Sequence, residues 1–280
     1  MTAPRLAVIA GRGSLPGLLL AECRRVGRPC LVVSFAGVDG MALPSDVKAI
    51  GARFERLGEM FAALKAEGAT SVVFAGGMER PHLDPASCDA DTLAILPELL
   101  PHLGKGDDAT LRAVASIFER RGFRVEAAHD LISGLVAGAG ELTRSGPSEA
   151  DLADARTARR IAEALGAVDV GQGAVVAQGI CLGAETIQGT DAMLEFVAAT
   201  GARFRPDPKG ARGVLWKGPK PGQDLRMDMP AIGPETVRRA AAAGLAGIAV
   251  AAGGTLILDR EATIRAADEA GLFLIGLGAT

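Results

Sequence analysis

Between Lys217 and Gly233 the chain reads KGPKPGQDLRMDMPAIG, which packs Lys217, Lys220, Arg226, Asp224 and Asp228 into a stretch too rich in Pro and Gly to be a helix. Lysine and arginine grip phosphate oxygens, while carboxylates supply the hard oxygen ligands that Mg²⁺ or Mn²⁺ prefers. The chemistry suggested is metal-assisted work on phosphate. The competing reading is a solvated surface loop whose charges neutralise one another. Upstream, the run from Glu185 to Asp191 (ETIQGTD) sets two carboxylates around a glycine turn ahead of an amphipathic helix, where Asp191 could equally be a helix cap. Together with Asp224 and Asp228, these groups suit one divalent ion and an anionic substrate, giving Glu185, Asp191, Asp224 and Asp228 as candidate metal ligands. The second half has neither a G-x-S-x-G motif nor a histidine, which argues against a serine nucleophile. Water activated by a carboxylate or a metal is the better candidate.

Two glycine-rich loops in the first half could hold a phosphate. Gly11, Gly13, Ser14 and Leu15 lie between the first apolar run and the first helix, where backbone amides and a helix N-terminus cradle anions, and Ser14 is placed to cap that helix. This is not a clean dinucleotide fingerprint. Its third glycine, Gly17, falls one residue late, and Val33 to Ala36 offers no carboxylate for a ribose. NAD is disfavoured and a nucleoside diphosphate is not. Gly76, Gly77 and Arg80 follow the third strand and should open on the same carboxyl edge of the sheet. Gly104 to Asp108 could present two carboxylates, or Asp107 or Asp108 could simply cap a helix beginning near Thr110.

The elements that must position these groups follow from hydrophobic periodicity. Continuous apolar runs at Leu6–Ala10, Leu31–Phe35 and Ser71–Ala75 read as parallel strands covered on both faces, with a further strand at Phe123–Ala127. Helices at Leu15–Val26, Glu59–Glu67 and Asp107–Arg121 alternate with them, giving an α/β, Rossmann-like sheet over residues 1–136. Residues 137–150 are dense in Gly, Ser and Pro and read as a linker. Ser148 and Asp151 form a capping pair for the next helix, and residues 151–280 read as a second α/β domain carrying the catalytic loop. Its expected strands are Ala174–Gln178, Val214–Trp216, Ile248–Ala252 and Leu272–Leu277. Its expected helices are Thr190–Ala199, Pro234–Ala243 and Asp259–Ala270.

Composition narrows the partners. A length of 280 residues suits about two domains, and the net charge of −3, with no Tyr and one Trp, makes nucleic acid an unfitting partner. The four cysteines and three histidines are scattered, which argues against a zinc cage and for a reducing compartment. The N-terminal apolar run is too short for a signal peptide, so a cytoplasmic location is expected. The uncharged stretch Ala240–Leu258 approaches the length of a membrane span, but four glycines break it into a helix end, two short strands and a turn.

Five segments carry a resemblance: IAGRGSLP at 9–16, GGMERP at 76–81, GDD at 106–108, GTD at 189–191 and KPGQDLRMDMPAIG at 220–233. Together they resemble the UDP-2,3-diacylglucosamine pyrophosphatases of the LpxI type, most specifically in the last segment. The resemblance implies two α/β domains and Mg²⁺-dependent hydrolysis of a lipid-linked UDP-sugar to UMP and lipid X, with attack on the phosphorus nearer the sugar. That is a step of lipid A synthesis, so the enzyme would work at the cytoplasmic face of the inner membrane, peripherally, and is compatible with a homodimer. It assigns the catalytic role to Asp224, with Lys217, Lys220, Gln223, Arg226 and Asp228 as matching neighbours. Gln188 departs from the family pattern, which more often has glutamate there, and is left out of the site. On this reading the glycine loops and Thr190 hold the substrate. The alternatives are a nucleotide-sugar or lipid-binding module without turnover and a nucleotide-cofactor oxidoreductase.

Overall fold

The computed structural model describes residues 4–38, 44, 46–78, 83–103 and 107–278. The chain divides into two compact units: Met1–Ser133 with Arg226–Asp228, and Gly134–Leu225 with Met229–Thr280. Both are α/β.

The first unit runs β1 (Arg5–Ala10), α1 (Leu15–Val26), β2 (Cys30–Phe35), β3 (Lys48–Ala52), α2 (Leu57–Ala66), β4 (Ala69–Ala75), α3 (Ala90–Leu103), α4 (Asp107–Arg120), β5 (Arg124–Glu126) and α5 (Ala128–Leu131). Its sheet is parallel in the order β3-β2-β1-β4-β5. Alternation along β1 explains why the strand is apolar from Leu6 to Ala10. Ala7 and Ile9 pack into one core with α2, α3 and α4, and Leu6 and Val8 into another with α1 and α5. Helix α1 stops at Gly27, whose φ of 67° is the left-handed C-cap conformation, with its N–H bonded to Arg24 O. Met227, from the distant segment 226–228, is buried in the first of these cores.

Helix α3 and strand β3 were not legible in the sequence. Pro97 and Pro101 lie inside α3 and argue against a helix. Both face outward, while Ile95 is buried and Asp89 Oδ1 accepts from Thr92 N at 2.7 Å, fixing the first turn. Strand β3 (KAIGA) is an edge with mostly exposed residues, and its only large apolar side chain is Ile50. Helix α4 runs from Asp107 among the described residues, as the Asp107–Arg121 span expected, which places both carboxylates in its first turn, where they suit the helix dipole rather than precede the helix as caps. Asp108 is ion-paired with Arg112. Ser14 sits at the α1 N-cap position but makes no capping bond, because its backbone is already helical. Arg80 of the GGMERP segment and Gly104 to Gly106 lie outside the described residues.

The second unit runs β6 (Gly140–Glu141), α6 (Glu149–Ala167), β7 (Gly173–Ala177), β8 (Ile180–Ala184), α7 (Gly189–Thr200), β9 (Val214–Lys217), β10 (Ala231–Ile232), α8 (Pro234–Ala242), β11 (Gly247–Ala251), β12 (Leu256–Ile257), α9 (Arg260–Glu269) and β13 (Phe273–Leu277). Its main sheet has the order β6-β13-β11-β9-β7-β8, with β9, β11 and β13 parallel and β6, β7 and β8 antiparallel to their neighbours. Helix α6 opens with the full Ser148–Asp151 capping box. The stretch 137–150, expected as a linker, contributes β6 to the edge of this sheet, and Leu142 N donates to Leu274 O at 2.9 Å. Its glycines permit close backbone approach: a Cβ on Gly276 would collide with Gly138 O. Strand β8 follows β7 through a two-residue turn in which Gln178 and Gly179 both have positive φ, 54° and 79°. Among the described residues no helix is long and apolar enough to cross a membrane.

Candidate active site

The order β3-β2-β1-β4-β5 reverses direction between β1 and β4, and the two glycine loops leave the carboxyl ends of those two strands. In open parallel sheets this switch point is where ligands bind. The loops are joined: Gly11 N donates to Ala75 O at 2.7 Å, Arg12 N to Gly77 O at 2.7 Å, and Gly77 N to Arg12 O at 3.0 Å. A Cβ on Gly11 would lie 2.7 Å from Gly76 O, and Gly76 itself has a φ of 88°. Glycine is required for the junction. The amides of Gly11 and Gly77 are therefore engaged by protein carbonyls. The cradle narrows to Gly13, Ser14 and Leu15 at the start of α1, where first-turn N–H groups have no intrahelical acceptor.

In the second unit Lys217 ends β9, between Val250 of β11 and Gly173 of β7. Its side chain is buried, at 9% exposure, and so is that of Glu185, at 8%. Lys217 Nζ lies 3.6 Å from Glu185 Oε1 and donates to Thr190 Oγ1, which in turn donates to Glu185 Oε2 at 3.0 Å. Two glycines make room for the carboxylate. A Cβ on Gly173 would approach Glu185 Oε2 to 2.5 Å, and one on Gly171 would strike the Glu185 backbone. Thr255, fully buried, donates to Lys217 O at 3.3 Å from the turn after β11.

Past Lys217 the loop is held by its own side chains. Lys220 N donates to Gln223 Oε1 at 2.9 Å and Gln223 N returns to Lys220 O at 3.2 Å, closing a turn over Gly222, whose φ is 75°. Lys220 Nζ is ion-paired with Asp169, just beyond α6, and both side chains are largely buried. The last turn of α6 backs this loop, since a Cβ on Gly166 would touch Pro221 and Lys220 at 3.1 to 3.3 Å. Asp224 follows, half-buried in a non-helical stretch. Arg226 and Asp228 belong to the first unit, where Arg226 pairs with Glu119 at 2.8 Å.

The expected metal ligands divide. Glu185 sits against the Lys217 ammonium, so a divalent cation there would face a like charge. Asp191 is on the first turn of α7, its carboxylate exposed and 3.6 Å from Arg239, which also binds Glu235 and Glu195. Among the described residues no three His, Cys, Asp or Glu side chains group as a metal cage. Mg²⁺ in phosphate chemistry asks for less, because it keeps water and binds through one or two carboxylates plus substrate oxygens. Asp224, in the second unit, and Asp228, in the first, are carboxylates of the type such a site draws on.

Several residues were invisible to the sequence reading. Asp169 and Glu119 carry no local motif. Gln172, whose carbonyl holds Gly218 N at 3.1 Å, has its side-chain oxygen buried and, among the described residues, without a hydrogen-bond partner. The G-Q-G at 171–173 ahead of a strand was the one available signal of close approach.

Residues 5–135 match the family model of the LpxI N-terminal domain, and residues 138–275 that of the LpxI C-terminal domain. The chain is similar to UDP-2,3-diacylglucosamine pyrophosphatase LpxI of Caulobacter vibrioides, at 42% identity over 276 residues, covering 98% of this chain and 97% of that one. With a relative that close over nearly its whole length and both domain models matched in order, the chain belongs to the LpxI family.

Proposed function

We propose that this protein hydrolyses the diphosphate of UDP-2,3-diacylglucosamine to UMP and 2,3-diacylglucosamine 1-phosphate, a step of lipid A synthesis. The observation that carries the reading is full-length similarity to an enzyme named for that substrate. The lysines at the end of β9 support it, set on a loop that its own hydrogen bonds and α6 hold in place. Within the first unit the α1 N-terminus suits phosphate oxygens; within the second, Lys220 supplies positive charge on the loop after β9, while Lys217 is buried against Glu185 at its base. Asp224 positions the attacking water or accepts its proton, and attack falls on the phosphorus nearer the sugar. Asp224 and Asp228 would hold Mg²⁺, with Mn²⁺ as a substitute, which when bound neutralises charge on the diphosphate. The substrate is lipid-linked, so the protein works in the cytoplasm, peripherally at the inner membrane.

Asp224→Asn tests the assignment. It keeps shape and hydrogen bonding but removes the charge, so turnover should fall about a hundredfold or more while substrate binding and melting temperature persist. A loss of about tenfold or less would move the role to another carboxylate. EDTA should abolish hydrolysis and Mg²⁺ or Mn²⁺ restore it; full turnover in chelator, with no metal by elemental analysis, refutes the metal.

A further inference from the structure

We propose that the outer edge of the second unit, formed by β8 and the segment after α7, is a contact surface for an anionic lipid bilayer. β8 is the last strand of its sheet. Leu182 is buried on the face where α7 and the following turn pack, and a Cβ on Gly201 would touch it at 3.4 Å. Two residues earlier, Ile180 points to the same face and emerges at 45% exposure. Phe204, at the end of the turn that starts at Gly201, is 60% exposed. Large apolar side chains held in water at the rim of a folded unit call for a partner.

The charge around them says which kind. Residues 203–212 read RFRPDPKGAR, four cations against one carboxylate, in a chain whose net charge is −3. Arg203, Lys209 and Arg212 are exposed. The segment is pinned: Gln178 Nε2 donates to Asp207 O at 2.7 Å and to Ala211 O at 3.1 Å, Asp207 N donates to Gln178 Oε1 at 2.8 Å, and Arg205 Nη2 donates to Ala243 O at 3.0 Å. The buried carboxylate of Asp154 accepts from Gln178 N and Gly179 N at 2.8 Å each, tying the β7–β8 turn to α6. The surface is thus formed before any partner arrives. Aromatic and aliphatic groups that enter the acyl boundary, ringed by cations that meet anionic headgroups, are the pattern of an interfacial contact. A second copy of this chain fits less well, because a two-fold interface would bring this basic segment against itself.

The inference rests on the proposed function only for its purpose, delivery of a substrate that resides in a bilayer. It is tested without turnover, so either reading can fail alone. The full chain is floated with vesicles of phosphatidylcholine alone and of phosphatidylcholine mixed with phosphatidylglycerol. It should float with the anionic vesicles only and be released at high salt. Reversing two charges in Arg203→Glu/Lys209→Glu should weaken partitioning about a hundredfold, and Phe204→Ser about tenfold. Both variants should hydrolyse detergent-dispersed substrate as the parent does, which shows that they fold. No flotation with anionic vesicles, equal flotation with both compositions, or flotation that both variants retain would overturn the proposal. So would a concentration-dependent dimer that Phe204→Ser abolishes.

Discussion

Replacing Glu185 by Gln removes one charge from the buried Lys217 pair and little else. Gln keeps the side-chain length, and its oxygen can still accept from Thr190. The Lys217 side chain, 9% exposed, is left without a counter-ion. Removing one member of a buried pair costs about 3–5 kcal/mol, whereas an exposed pair is worth about 1 kcal/mol at most. Trp216 supplies the assay. It is the chain's one tryptophan, it precedes Lys217 in β9, and it lies in a core of the second unit, so its fluorescence in a urea titration reports the unfolding of that unit. Glu185→Gln should lower the Trp216-detected unfolding free energy by about 3–5 kcal/mol. Replacing both partners, Glu185→Leu with Lys217→Met, should recover most of that loss, because no charge then remains buried. A single-variant loss below about 1 kcal/mol would mean that water reaches the pair and that the glycine-lined recess around Glu185 is not a dry one.

Three further outcomes are expected. Gly11→Ala places a methyl against the carbonyls of Gly76 and Gly77, so it should cost about 1–3 kcal/mol and cut kcat/KM about tenfold or more; unchanged kinetics would show that the loop junction does not shape the site. Asp169→Asn frees Lys220 from its carboxylate, so if Lys220 grips diphosphate the KM should fall several-fold, and an unchanged KM in Michaelis kinetics would make Lys220 purely structural. Burial pushes the Glu126 carboxyl up, but hydrogen bonds from Arg28, Ser71 and Arg124 outweigh this and bring it down to about 2. With the folded value depressed, its stabilisation is complete above the ordinary carboxylate range and is lost as pH falls from about 4.5 toward 2. Circular dichroism melts across that window should show a slope that Glu126→Gln flattens, and an unaltered slope would refute the assignment.

What the sequence determined by itself is what short-range periodicity and local chemistry control. The apolar runs in β1, β2 and β4 have a single reading, because strands covered on both faces by helices are apolar on both faces rather than on alternate residues only. The Ser148–Asp151 capping box and the α1 span follow from residues within one helical turn. The absence of helix from the segment after Lys217 was equally legible, since its Pro and Gly are enough to exclude one. Tertiary structure decided the rest. β3 and β8 are five-residue edge strands, each broken by a glycine and mostly exposed, and α3 holds two prolines that only packing of Ile95 and outward placement of both rings make tolerable. The Gly-rich stretch at 137–150 looked like a linker because close backbone approach and flexibility recruit the same residues. The partners of the site lysines lay furthest from reach. Lys220 meets Asp169 across 51 residues and Lys217 meets Thr190 across 27. Which carboxylate faces which ammonium is set by strand order and register, and no local pattern in the chain encodes either.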